Sequence, residues 1–284
     1  MKHSHKPIVA IMYDFDKTLC TKDMQNYRFI PSLGMQVSDF WDYTNEVQLN
    51  EHMDSVLAYM YAAIKLAKER NIPLKRESLE ENGKGIEFFE GVEDWFKRIN
   101  KFGEENGVII EHYVISSGMK EIIDGTVISG EFKNIFACEY LYDDEGIAVW
   151  PKTAVNYTNK TQFVYRINKG VLDVSNDNDL NRSMPDDSKR IPFTNMIYIG
   201  DGLSDVPCMK MMKSYGGKAI AVYQKLDDKV KELLRKDRVD YIYPADYSEG
   251  KGLDRTIKDI IRKMAISDKL IEEYSRQINM INED

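Results

Sequence analysis

The sequence predicts an α/β fold, a doubly wound parallel sheet with a second, smaller helical unit inserted into it. Three observations carry that expectation. Short apolar, β-branched runs recur along the chain without polar alternation, as strands buried on both faces require. Stretches of helical periodicity separate them, so strand and helix alternate as in βαβ units. The interval between the first two runs, about residues 21–84, is too long for one crossover helix and has a helical pattern of its own.

Taken in order, Ile8–Tyr13, between Pro7 and Asp14, forms the first strand. The inserted interval carries an aromatic group (Tyr27, Phe29, Phe40, Trp41, Tyr43), read mainly as the insert's own core, with pocket lining as the alternative. Val56, Tyr59, Met60, Ala63, Ile64 and Ala67 follow at i, i+3, i+4 spacing and mark one face of a helix. Asn82-Gly83-Lys84-Gly85 reads as the hinge back. The expected organisation is a discontinuous core of residues 1–22 and 86–284, with a helical cap over 23–85. Beyond it, helices at Val92–Glu105, Lys120–Ile123, Lys160–Asn168 and Val206–Lys213 alternate with strands at His112–Ile115, Met196–Ile199 and Lys218–Tyr223. Asp173–Pro192, rich in Asn, Asp, Ser and Pro, reads as an extended surface loop. Ile266, Leu270, Ile271, Tyr274, Ile278 and Ile281 share one helical face, expected to pack on the parent domain.

Composition narrows the function classes. The 284 residues carry a formal charge of −8, 43% are apolar and 30% are charged, so the chain can bury a core. The acidic balance disfavours a nucleic-acid binder, which needs a basic stripe. Three scattered cysteines (Cys20, Cys138, Cys208) indicate neither a disulfide framework nor a zinc cage and fit a reducing, cytoplasmic compartment. No run is long enough to span a membrane. His3 and His5 read as part of a polar terminus rather than a metal tract. Oligomeric state is left open.

The residues suggestive of chemistry all follow strands, where open α/β sheets place their ligand crevice. They are Asp14-Phe15-Asp16-Lys17-Thr18, Ser116-Ser117-Gly118 and Gly200-Asp201-Gly202-Leu203-Ser204-Asp205. Carboxylates converging on one sheet edge repel each other, and a divalent cation removes that conflict. Small hard cations held by carboxylates and phosphate oxygens are the usual Mg²⁺ arrangement. Hydroxyls, glycines and a lysine supply the donors and positive charge that a phosphoryl group needs.

Together these segments resemble the haloacid dehalogenase superfamily of hydrolases, closest in layout to its phosphoserine-phosphatase-like branch with a helical cap. The apolar strand into DxDxT, the strand ending in Ser-Ser-Gly and the strand into GDxxxD stand in the family's order. The resemblance spans about Ile8 to Tyr223. It implies a Rossmann-like core and a Mg²⁺-dependent phosphatase acting on a small phosphorylated metabolite through an aspartyl-phosphate.

Residue by residue, Asp14 resembles the nucleophile and Asp16 the acid–base residue, whose backbone carbonyl would also ligate the metal. Thr18 either braces the loop or binds phosphate. Ser116 resembles the phosphate-binding hydroxyl, with adjacent Ser117 as a competitor and Ser117-Gly118 as N–H donors opening the next helix. Asp201 resembles the metal ligand, with Asp205 a turn further on assisting it. The family's lysine falls on Lys160, or else Lys169 or Lys152. His52 and His112 read as surface or core residues. The same nucleophile also serves phosphotransferases and mutases, and 2-haloacid dehalogenases, which need neither metal nor a second Asp. A non-catalytic metal-binding module has no need of the Asp14–Asp16 pair.

Overall fold

The computed structural model describes residues 6–185 and 188–282, and among these seven strands form one sheet. They are β1 (Ile8–Tyr13), β2 (Ile109–Met119), β3 (Asn134–Tyr142), β4 (Ala148–Thr153), β5 (Met196–Gly200), β6 (Lys218–Tyr223) and β7 (Tyr241–Pro244), in spatial order β4-β3-β2-β1-β5-β6-β7. All neighbours are parallel except β3 and β4. The expected doubly wound sheet is present. Its chain order reverses between β1 and β5, and such a switch point opens a crevice at the carboxyl ends of the strands. Tyr13, the last residue of β1, lies in register with Val114 on one side and Ile199 on the other, so all three predicted motifs leave adjacent strands.

Three strands were not legible as apolar runs. β3 mixes Asn134, Glu139 and three aromatics, and β4 contains Pro151. An edge strand tolerates the missing N–H of proline, and β4 is an edge. β7, the opposite edge, has four residues and ends in Pro244.

The helices, in chain order, are α1 (Phe29–Ser32), α2 (Val37–Asn50), α3 (Ser55–Glu69), α4 (Arg76–Gly83), α5 (Val92–Glu105) and α6 (Lys120–Asp124). After them come α7 (Lys160–Lys169), α8 (Asp177–Asn181), α9 (Val206–Ser214), α10 (Asp228–Arg235) and α11 (Gly252–Asn282). The inserted interval therefore carries α1 to α4. Asp54 caps α3, accepting from the N–H groups of Val56 and Leu57, and the helix buries Val56, Tyr59, Met60, Ala63 and Ala67. Phe40 packs edge-on against Phe29 and Trp41, so the aromatic group is largely the insert's core.

The end of the insert is knitted into the core. Ala148 donates to the Leu74 carbonyl (2.9 Å), and Lys75 bridges to Ile147. α4 then lies against α6 with no side chain between them. A Cβ on Gly125 would collide with the Glu80 carbonyl, and one on Gly83 with that of Ile122. Glycine is required here by contact, since Gly125 has an ordinary helical φ of −78°.

Two expectations change. The 173–192 segment includes α8 and buries Ile191, because buried Arg166 gathers the carbonyls of Asp173, Val174 and Asn176 and the Asp177 carboxylate. The apolar stripe of α11 does not pack on the parent domain beyond its first half. Leu253, Ile257, Ile260, Ile261 and Met264 are buried, whereas Ile266, Leu270, Ile271, Tyr274 and Ile281 are exposed. A 31-residue helix is about 46 Å long and outruns the sheet it lies on. No helix among the described residues is long and apolar enough to cross a membrane. His3 and His5 lie outside the described residues.

Gly125→Ala is expected to lower stability by about 1–3 kcal/mol through overpacking against α4. Urea unfolding measures it, and an unchanged midpoint would mean the α4–α6 contact yields freely.

Candidate active site

The backbone of β1 continues one bond past its end, where the Asp14 N–H donates to the Ile199 carbonyl at 2.9 Å. That bond seats Asp14 beside Gly200 and Asp201. The chain then bends sharply, with Lys17 in the left-handed region at φ 57°. The bend lets Asp16 face the same crevice, where its Oδ1 accepts the Met24 N–H at 2.7 Å. Thr18 is buried, and its hydroxyl has no hydrogen-bond partner. Its carbonyl, which accepts from the Tyr247 hydroxyl at 2.9 Å, does the bracing instead.

Lys160, the first residue of α7, joins the motifs. Its ammonium donates to Asp14 Oδ1 at 2.6 Å and to Asp205 Oδ1 at 2.8 Å, and all three residues are buried. The other two candidate lysines lie elsewhere. Lys169 donates to the carbonyls of Leu180 and Arg182, and Lys152 pairs with Glu139 at 3.0 Å. Tyr198 of β5, which carried no signal in the sequence beyond its place in an apolar strand, donates to Asp205 Oδ1 at 2.7 Å. Asp205 Oδ2 is buried without a partner. Gly200 is needed at this point, because a Cβ there would strike the Asp205 carboxylate.

Ser116 is fully buried, and its Oγ accepts the Gly118 N–H at 3.0 Å. The expectation that Ser117-Gly118 opens a helix fails. β2 runs on to Met119 because it still pairs there with Cys138 of β3, and α6 begins only at Lys120. The Ser117 carbonyl accepts from the Tyr59 hydroxyl of α3 at 2.7 Å. The Met24 side chain sits directly on Gly118, and a Cβ there would have to displace the Met24 tip. Neither contact was visible in the sequence, since each joins segments that carry no shared pattern. His112 is a core residue, between the Tyr13 hydroxyl (2.9 Å) and the Asn100 side chain (3.0 Å). His52 is exposed.

Carboxylate oxygens of Asp14, Asp201 and Asp205 all lie within 4.8 Å of one another. Burial pushes the Asp14 carboxyl up to about 6 against the pull of Lys160. Burial, with the charges of Asp14 and Asp205, pushes Asp201 up to about 8. Burial and the charges of Asp14 and Asp23 hold Asp16 well above the usual carboxylate range. Burial opposes the charge on Lys160, but Asp14 and Asp205 outweigh it and its pKa is raised. Three carboxylates against one buried ammonium leave an excess of negative charge, and hard oxygen donors with one orphaned buried oxygen suit a divalent cation such as Mg²⁺. The Asp16 carboxylate stands outside this group.

Comparison with known proteins bears on the fold and the family. A protein of Borreliella burgdorferi, described only as uncharacterized, is 28% identical over 281 residues, covering 89% of this chain and 96% of its own. Among solved structures, a HAD family hydrolase from Salmonella enterica serovar Typhi superposes with a TM-score of 0.58 at 14% identity, over 88% of this chain and 69% of that one. A substrate-bound phosphoserine phosphatase gives 0.53 at 16% identity, over 85% and 96%. At these identities the structural likeness speaks for the fold. The family model for haloacid dehalogenase-like hydrolases matches residues 11–210, well over half of the sequence, and the chain belongs to that family.

Proposed function

We propose that the protein is a Mg²⁺-dependent phosphatase that hydrolyses a small phosphorylated metabolite, with Asp14 as nucleophile and Asp16 as acid and base. One observation carries the reading: a buried lysine holds Asp14 at 2.6 Å, while two residues on a second carboxyl is kept in the crevice by the Met24 N–H. A dehalogenase has no use for that second carboxyl. The phosphoserine phosphatases that share the fold lend the phosphoryl chemistry as an analogy.

In the first step an Asp14 carboxylate oxygen attacks phosphorus as the ester oxygen leaves, forming an aspartyl-phosphate. Asp16, held protonated by its surroundings, gives its proton to the departing alkoxide. It then takes a proton from the water that attacks the same phosphorus, and the bond to Asp14 breaks to release phosphate. Ser116 and the Ser117 backbone face the phosphoryl oxygens, while the Gly118 N–H is taken up in orienting Ser116 Oγ. Thr18 lies beside them, and its free, buried hydroxyl supports that place. Lys160 keeps Asp14 ionised and oriented. Asp14, Asp201, Asp205 and the Asp16 carbonyl would hold Mg²⁺, which supplies neutralisation of phosphoryl charge when bound.

Residues 23–85 serve as a cap over the crevice, and its contacts support this. Tyr59 reaches Ser117, Met24 covers Gly118, and the Asn156 amide donates to Asp54 at 3.0 Å. The buried, unpaired thiols of Cys20, Cys138 and Cys208 favour a cytoplasmic setting. Nucleic acid and membranes are not expected partners.

Asp14→Asn is expected to abolish release of phosphate from 4-nitrophenyl phosphate, and EDTA to do the same to the wild type. Wild-type-like turnover in the variant would sink the nucleophile assignment. Asp16→Asn should lower kcat by about 10²–10⁴-fold. Beryllofluoride should bind the wild type and not Asp14→Asn.

Protonation of the carboxylates gives a separate test. Unfolded aspartates titrate near 4, whereas folded Asp14 and Asp201 hold their protons to about 6 and about 8 without metal. The folded chain therefore binds more protons than the unfolded one, and the metal-free protein loses stability as pH rises from about 4 to 8. A cation displaces those protons, so its stabilising effect grows over the same interval. Millimolar MgCl₂ should raise the melting temperature more at pH 8 than at pH 5.5, and equal rises would count against these ligands.

A further inference from the structure

We infer that the phosphomonoester taken by this site carries a second anionic group, a phosphate or a carboxylate, on its alcohol part, and that Lys225 and Lys229 receive it. The inference rests on the phosphatase reading above and names the class of substrate. A cavity of about 450 Å³ reaches the acidic cluster at Asp201, with Lys17 also in its lining, while Asp14 and Asp16 lie outside that lining. That space suits a sugar-sized alcohol. The Gln224 side chain donates to the Thr21 carbonyl, so the loop after β6 is tied to the start of the insert and both line the cavity.

The lining is polarised. Of its four lysines, Lys17 is engaged by Asp23 at 2.7 Å, and Lys22 stands 3.8 Å from Glu87. Lys225 and Lys229, exposed beside the loop that follows β6, have no carboxylate partner among the described residues. The carboxylates that line the cavity are committed. Asp23 is held by Lys17, Asp227 accepts the Val230 N–H at 2.9 Å as the cap of α10, and Asp201 belongs to the reacting end. A ligand with its ester phosphate at the aspartates would therefore set its far end toward two ammonium groups that no salt bridge engages among the described residues. Lysine meets a phosphate or carboxylate there as a point charge. A neutral alcohol leaves both ammonium groups to water and gains nothing from them.

The test compares kcat/KM within two pairs of esters: glycerol 3-phosphate against 3-phosphoglycerate, and glucose 6-phosphate against glucose 1,6-bisphosphate. Two partly exposed charge pairs should favour the anionic member of at least one pair by about tenfold, less at high salt. The pair that responds tells carboxylate from phosphate. In K225E/K229E that preference should fall to near one or invert, with the thermal midpoint of unfolding as a check on folding. If charge reversal unfolds the chain, K225Q/K229Q makes the same comparison. Ratios near one in both wild-type pairs, or a ratio that survives the substitutions, overturn the inference while aryl phosphate turnover keeps the phosphatase reading intact. Failure to hydrolyse any ester, 4-nitrophenyl phosphate included, overturns both.

Discussion

A single buried ammonium organises the site. Lys160 holds Asp14 and Asp205 from strands that leave the sheet on either side of its switch point, and those aspartates are separated by almost two hundred residues of chain. Removing a charge from water is costly unless it is paired and hydrogen-bonded. Lys160 meets that demand with two carboxylates, and each carboxylate depends on it in turn. Asp205 needs a further donor, which Tyr198 provides, and Gly200 leaves the room for it. Even so, negative charge remains in excess, and the partnerless Asp205 oxygen is where the imbalance is visible.

This dependence explains which parts of the molecule were legible in the sequence. β1, β5 and β6 are buried on both faces, so their residues had to be apolar and their limits were marked by Pro7, Asp14 and the glycines. The acidic motifs were legible because they stand immediately after such strands. Helix α5 was readable for a different reason, its strong apolar face ending in Val92, Trp95, Phe96 and Ile99. The edges β4 and β7 were not, since an edge strand is half solvated and tolerates proline and charge. The continuation of β2 through Ser116 to Met119 was hidden because pairing with β3 fixes it, and β3 itself was unread.

Among site residues, Lys160 was one of three lysines the resemblance offered, and its place at the start of a helix was legible locally. The residues that brace the site could not be found that way. Tyr198 looks like any aromatic in a strand, and Tyr59 like one more apolar position on α3. Their roles come from a hydroxyl at the tip of a side chain whose body is core. Hydroxyl tips of this kind leave no periodicity.

The glycine contact between α4 and α6 has a mechanical consequence. Together with the ties from Leu74 and Lys75 to the β4 hairpin, it fastens one margin of the inserted segment to the sheet edge. Lifting that margin would uncover backbone packed against backbone, whereas α3 meets Ser117 through the tip of a side chain, the Tyr59 hydroxyl. The inserted segment is thus fastened at both of its ends, by backbone contact at α4 and, beside the β1 loop, by the Met24 N–H on Asp16 and the Gln224 side chain on Thr21.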